Sequence, residues 1–487
     1  MSPSHTSRRT FIRNSALSLA AVAVAPVIGF GGRSFACAPA GSNYEDPWDQ
    51  LPEILARIRP PGFPDRDFLI TDFGAEEGDS GDASQAISDA IAACADVGGG
   101  RVVVPAGLFM TGPVVLRSNV NLLVADGATL RFHREPERYP LTLTRYEGVE
   151  LMNYSPFIYA FGEENVAITG GGTLDGNGDC EHWWPWKGRT NCGWSEGDPR
   201  EHPERARLFQ LGEEGVPVEE RIFGDGSYIR PNFIEPYNCR NVLIEGVTVT
   251  NSPMWCLHPT LCENVTIRGV RVVSHGPNND GCNPESCRDV LIEDCYFDTG
   301  DDCIAIKSGR NAEGRRLAVP SENIVIRRCH MRDGHGGVVI GSEMSGGVRN
   351  VFAEDCEMDS PNLDRALRFK TNSVRGGTVE NVFMRNVTVG EVADALFRVN
   401  FYYEEGDEGN FPPVVRNIEM RNVTSRKTQR ALYVVGYPNA PVMDVRIIDC
   451  TFDNVAEPSE VRNVQGLQLT NVYVNGQPFT LDTVGQS

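Results

Sequence analysis

The stretch Cys239-Arg-Asn-Val-Leu-Ile-Glu-Gly-Val247 recurs as Cys262-Glu-Asn-Val-Thr-Ile-Arg-Gly-Val270. Two more copies follow: Cys287-Arg-Asp-Val-Leu-Ile-Glu-Asp-Cys295 and Ser321-Glu-Asn-Ile-Val-Ile-Arg-Arg-Cys329. Related segments run over 348–356, 379–387, 415–423 and 442–450, with an earlier copy from Glu163 and a looser last one over 464–472. From Cys239 the starts are 23, 25, 34, 27, 31, 36, 27 and 22 residues apart. Apolar residues alternate within each copy, which is strand periodicity. A unit this short cannot bury its own apolar face, so its copies must stack. The expected fold is all-β: a single-domain right-handed parallel β-helix rising ~4.8 Å per coil. Coils longer than the shortest repeat must push loops outward, where a binding cleft can form.

The recurrent Asn (Asn241, Asn264, Asn323, Asn350, Asn381, Asn417) suits a left-handed turn whose amides bond from coil to coil. The recurrent Cys positions read as small buried hydrophobes in a stack, with some disulfides as the alternative. No Cys-x-x-Cys pair is present, so no structural zinc site is expected. Before the repeats, Asp82-Ala-Ser-Gln85 reads as a capping box. The short α-helix after it, with Ala86, Ile87, Ala90, Ile91 and Cys94 on one stripe, would plug the open end of the stack.

The chain has 487 residues, 40% hydrophobic and 23% charged, which argues against wholesale disorder. Asp and Glu number 66 against 45 Lys and Arg, so the formal charge is −21 and a nucleic-acid partner is not expected. Ser7-Arg8-Arg9-Thr10-Phe11-Ile12-Arg13 precedes an apolar run ending near Phe30, and this resembles a twin-arginine export signal. Ala38-Pro39-Ala40 is the expected cleavage site; a retained anchor and a lipoprotein at Cys37 are the weaker alternatives. The organisation read from sequence is therefore signal 1–40, polar linker 41–64 and β-helix 65–487. No later apolar run reaches the ~20 residues that span a bilayer. A monomer in the periplasm or outside the cell is expected, with no membrane association after cleavage. Cleavage removes Cys37 of the 14 Cys, leaving an odd number and so at least one unpaired thiol.

Four polar motifs fall about one coil apart: Asn278-Asn279-Asp280-Gly281, Gly300-Asp301-Asp302-Cys303, Gly334-His335-Gly336 and Arg368-Phe369-Lys370. Residues one coil apart lie above one another, so three carboxylates, a His, an Arg and a Lys would share one face. Strand alternation alone would part Asp301 from Asp302. A bend at Gly300 would bring both to the cleft. Glycoside hydrolysis needs one protonated carboxyl for the leaving oxygen and one carboxylate to activate water. Crowded carboxylates cannot all ionise. Arg and Lys beside them would make the site attractive to an anion in an otherwise acidic protein.

As an ordered set, these motifs and the lead-in Thr71-Asp-Phe-Gly-Ala75 resemble the polygalacturonase family, glycoside hydrolase family 28, and the segments Asn278-Asn-Asp-Gly-Cys-Asn-Pro-Glu-Ser286 and Arg368-Phe-Lys-Thr-Asn-Ser373 look more like its bacterial exo-acting members. The resemblance implies inverting hydrolysis of α-1,4-linked galacturonate without a cofactor or metal. It implies Asp301 as general acid, Asp280 and Asp302 around the attacking water, and His335 as a catalytic support. Asn278, Arg368, Lys370 and Tyr403 would bind substrate, which would be polygalacturonate or a pectic oligosaccharide. Lys307 and Arg310 would extend the cationic patch or lie on the surface. The Trp residues at 183, 184, 186 and 194 would stack on sugar or anchor their loop, and His258 has no assigned role. Rhamnogalacturonan hydrolysis, a calcium-dependent lyase and a non-catalytic pectin-binding β-helix are the rival readings.

Overall fold

The computed structural model describes residues 46–482. The expected signal and its cleavage site lie outside them. Parallel strands dominate, and the repeats stack in register. Val242 aligns with Val265, then Val290, Ile324, Val351, Val382, Ile418 and Val445. A second wall runs beside this one through Ile158, Ile234, Leu257, Cys282, Ile304, Val338, Leu367, Phe397 and Leu432. The inward-facing side chains of both walls form one continuous core. Among the described residues, no helix is long and apolar enough to cross a membrane.

The Asn positions have φ between 55° and 60°. Their amides bond from coil to coil: Asn241 Nδ2 donates to Asn165 Oδ1 (2.8 Å) and Asn381 Nδ2 to Asn350 Oδ1 (2.9 Å). Asn tolerates this backbone region and satisfies its amide only because the next coil repeats it. Cys239, Cys262 and Cys287 stack as buried free thiols. The one disulfide among the described residues, Cys180–Cys192, lies in the long insertion instead.

Helix α1 (Leu51–Arg57) corrects the linker reading of 41–64 in part. Trp48, Leu51, Ile54 and Ile58 pack on Leu291, Val325, Phe352 and Phe383, an apolar strip on the outer face of four successive coils. Arg57 pairs with Asp289 (2.9 Å), and Asp46 with Arg421 (2.7 Å). Pro and polar residues suggested a solvated tether, but the four apolar residues spaced among them have a partner only in the assembled coil.

Helix α2 (Ser84–Asp96) closes one end of the core with the expected stripe. Its cap differs from the expected box. Asp82 Oδ1 accepts from Ser84 N (3.0 Å), while Gln85 Nε2 turns forward to Asp89 Oδ1 (2.8 Å). The helix begins one turn position too late for Gln85 to reach back.

Two excursions leave the coils on one side. One is the antiparallel hairpin of Leu141–Tyr146 and Val149–Tyr154. The other is the insertion between Gly176 and Arg230, which carries α3 (His202–Glu213).

Candidate active site

The strand Arg365–Lys370 shows how the coil places catalytic side chains. Leu367 and Phe369 point into the core, so Arg368 and Lys370, two residues apart, share the opposite face. The neighbouring strand Val338–Gly341 pairs Val339 with Arg368 and Gly341 with Lys370. His335 precedes that strand, and Asp301 and Asp302 precede the strand Ile304–Ile306 one coil earlier. Tyr403 follows the strand Ala395–Asn400 in the next coil.

The chain bends at Asp301, and Asp280, Asp301 and Asp302 converge, with one oxygen of each within 4.8 Å of the others. Gly300 serves this bend through its size. A Cβ there would sit 2.4 Å from the Gly276 carbonyl of the preceding coil. Asp302 is fully buried and held by Lys370 Nζ (2.5 Å) and Arg368 Nη1 (3.3 Å). Asp301 Oδ1 faces His335 Nδ1 at 3.0 Å and accepts from the Asp302 amide. Asp280 Oδ2 accepts from Asn283 Nδ2 (2.7 Å) and lies 3.7 Å from Lys307 Nζ. Asn278 Oδ1 accepts from Arg230 Nη2 (2.9 Å), which ties the Asn-Asn-Asp turn to the insertion.

The environments push these carboxyls apart. Burial, and then the charge of Asp301, drives the Asp280 carboxyl well above its ordinary value. Burial also works to raise Asp301, but the His335 hydrogen bond and the charges of His335, Lys370 and Arg368 outweigh it and hold Asp301 well below. His335 is raised in turn, first by its hydrogen bond to Asp301. Lys370 is raised as well: burial disfavours its charge, but the Asp302 carboxylate more than compensates. Burial thus works against the charge of Asp280, while His335 and the nearby cations favour the charged form of Asp301.

These side chains line a cavity of about 200 Å³. Of the residues expected at the site, Asn278, Asp280, Asp301, His335, Arg368, Lys370 and Tyr403 line it directly, and Asp302 lies just behind. The Tyr403 ring is 5.7 Å from both the Arg368 guanidinium and the Lys370 ammonium, while Tyr402 packs outside against Tyr437. Lys307 lines the cavity with its Nζ 4.4 Å over the Trp255 ring. Arg310 is neither on the surface nor in the cavity. It is buried between Glu147, Glu343 and Glu404.

The insertion's Trp residues anchor their loop and do not line the cavity. Trp183 is buried against Tyr139 and Phe157, and Trp184 Nε1 donates to Ser252 O (2.9 Å). Trp255 joins Tyr403 as an aromatic face in the cavity. It precedes Asp280 by 25 residues, one coil, so its place was readable from the spacing. Glu147, Lys187, Arg189 and Arg205 also line the cavity from the hairpin and the insertion. No periodicity marks those segments, and sequence reading missed all four. Two groups among the described residues have ligand atoms at metal-like spacing, the Asp trio and His275 with Asp298 and Asp333. In both, the carboxylates already face protein cations: Lys307, Arg368 and Lys370 at the trio, and Arg332 at the second.

A cleft of carboxylates and cations on a right-handed parallel β-helix defines a hydrolase acting on an acidic polysaccharide. Residues 224–473 match the sequence profile of glycosyl hydrolases family 28, and the chain belongs to that family. It is similar to the crystal structure of a hyperthermoactive exopolygalacturonase from Thermotoga maritima, with 48% identity and a TM-score of 0.86, over 88% of this chain and 96% of that one. It is 29% identical to a probable polygalacturonase of Vitis vinifera, over 80% of this chain and 75% of the relative. It is also 25% identical to an exo-poly-alpha-D-galacturonosidase of Dickeya chrysanthemi, over 83% and 70%.

Proposed function

We propose that the protein is an exo-acting polygalacturonase that hydrolyses α-1,4-galacturonosidic bonds and releases galacturonate from the end of the chain. The observation that carries this reading is the convergence of Asp280, Asp301 and Asp302 opposite Arg368 and Lys370, in a cavity walled on one side by the insertion. The likeness to two exo-acting relatives supports the mode of action.

The substrate carboxylate binds Arg368 and Lys370, while Tyr403 and Asn278 position the sugar. Its negative charge weakens the cationic field that holds Asp301 low, and a proton passes from Asp280, the carboxyl that burial raises, to Asp301, leaving Asp280 ionised. Asp301 then donates that proton to the glycosidic oxygen as the bond to the anomeric carbon breaks. Water held by Asp280 and Asp302 attacks that carbon from the opposite face and gives its proton to this pair, inverting the configuration. His335 keeps Asp301 oriented throughout. Asp302 cannot serve as a free nucleophile, because Arg368 and Lys370 already bind both of its oxygens.

The twin-arginine reading of residues 1–40 belongs to this proposal, and a disulfide in the insertion agrees with export to an oxidising compartment. The test follows polygalacturonate by reducing ends, ultraviolet absorbance and product size, with and without chelator. Galacturonate monomer from the first time points, with no new absorbance and no chelator effect, is expected. Mixed oligomers at early times would overturn exo action. Absorbance lost with chelator would make the enzyme a lyase. Cleavage only of a backbone of alternating rhamnose and galacturonate would make it a rhamnogalacturonan hydrolase.

A further inference from the structure

Six Lys and Arg side chains line the cavity: Lys187, Arg189, Arg205, Lys307, Arg368 and Lys370. Five are committed to carboxylates. Lys187 binds Glu201 (2.8 Å), Arg205 binds Glu147, and Lys307 binds Glu343 (2.9 Å). Arg368 and Lys370 hold Asp302. Arg189 alone of the six meets no carboxylate among the described residues, and it is exposed to the cavity mouth. An unneutralised guanidinium beside a carboxylate-rich site, in a chain of net charge −21, is where an incoming anion gains most. Its planar fork also matches a carboxylate better than an ammonium does.

The loop that carries Arg189 is built to hold it. Its first half is fastened to the coils by Trp183 and Trp184 and by the ion pair of Asp179 with Arg134 (2.8 Å). Its second half returns to the first through the disulfide Cys180–Cys192. That bond closes a loop of 12 residues' separation around Lys187 and Arg189. The other cysteines among the described residues are free and buried in the core.

We propose that Arg189 receives the carboxylate of the terminal uronate, and that the Cys180–Cys192 disulfide holds it in position to do so. The inference rests on the polygalacturonase reading and deepens it. The site would then demand two acidic sugars in succession: one on Arg368 and Lys370 on the coils, the other on Arg189 on the insertion wall. A chain whose terminal sugar is neutral or methyl-esterified would be a poor substrate, even with the sugar beside it intact.

The experiment compares trigalacturonate with trigalacturonate methyl-esterified on its non-reducing terminal sugar, using the wild type, Arg189→Gln and Arg189→Lys. In Arg189→Gln, KM for trigalacturonate should rise about tenfold or more, the scale of one charge-assisted hydrogen bond, with kcat little changed. The variant should lose the wild type's preference for the free acid, and Arg189→Lys should recover part of it. Dithiothreitol should raise the wild-type KM reversibly and leave Arg189→Gln unmoved, with far-ultraviolet circular dichroism constant in both. Arg189→Gln with wild-type discrimination, or with equal losses on the two substrates, overturns the assignment of Arg189. A KM indifferent to reductant overturns the role of the disulfide. A wild type that cleaves neither substrate refutes the underlying polygalacturonase reading instead.

Discussion

Replacing His258 with Gln removes a buried charge beneath the active-site floor. His258 is fully enclosed, with Nε2 2.8 Å from Glu285 and Nδ1 3.5 Å from Glu235. Arg145 Nη1 holds the other oxygen of Glu285 at 3.0 Å, so His258 and Arg145 share that carboxylate. Burial alone would depress the imidazole, but Glu235 and Glu285 override it and push His258 up to about 9 from an ordinary 6.5. At 1.36 kcal/mol per pH unit, that gap is worth about 3 kcal/mol of folding stability. The sign follows from the raised folded value. The contribution is complete below pH 6.5, falls as pH rises through about 9, and is absent above it. Urea unfolding of wild type and His258→Gln should therefore differ most near pH 6, and the difference should shrink by about 3 kcal/mol by pH 10. The His258 ring also meets Trp255 edge to face at 4.8 Å, so kcat/KM should fall with stability. A stability difference that stays constant from pH 6 to 10 would refute a protonated His258.

Asp301→Asn should lower kcat by about 10²–10⁴ with folding intact, the usual contribution of a positioned acid; retention of most activity would move the acid elsewhere. Lys370→Met strips Asp302 of its nearest cation, so the variant should lose about 3–5 kcal/mol of stability as well as substrate affinity, read by urea unfolding and KM. Trp48→Ala opens the contact between the N-terminal segment and the outer strip at Phe352 and Phe383, and should cost about 3–5 kcal/mol in the same unfolding assay without changing KM. Proton NMR of the first turnover should show the β-anomer of galacturonate; the α-anomer would mean retention, not inversion.

The repeat made the coil legible because each copy uses the same few contacts. Val242 finds Val265, and Asn241 finds Asn264, one repeat later, so sequence spacing becomes spatial register. The same translation carried the four motifs to one face, and strand alternation sends Arg368 and Lys370 out together while Phe369 turns in. Even Trp255 was within reach of that logic.

What lies outside the period was not legible. Lys307 and Arg310 could be read as part of the cationic patch or as surface charges, because nothing local shows that Glu343 and Glu147 will close over them. The strip of Leu291, Val325, Phe352 and Phe383 sits at outward positions, and only the packed coil shows that residues 46–58 cover it. The cations of the insertion reach the cavity through a disulfide, buried Trp anchors and the Arg230 contacts, none of which repeats. The sequence alone determined the coil, the carboxylate trio and the Arg–Lys pair, because a translational repeat turns residue number into position. The cavity's closed wall, the charge partners beneath it and the unequal environments of its carboxyls were decided only by the tertiary structure, since each depends on side chains brought together from segments that share no period.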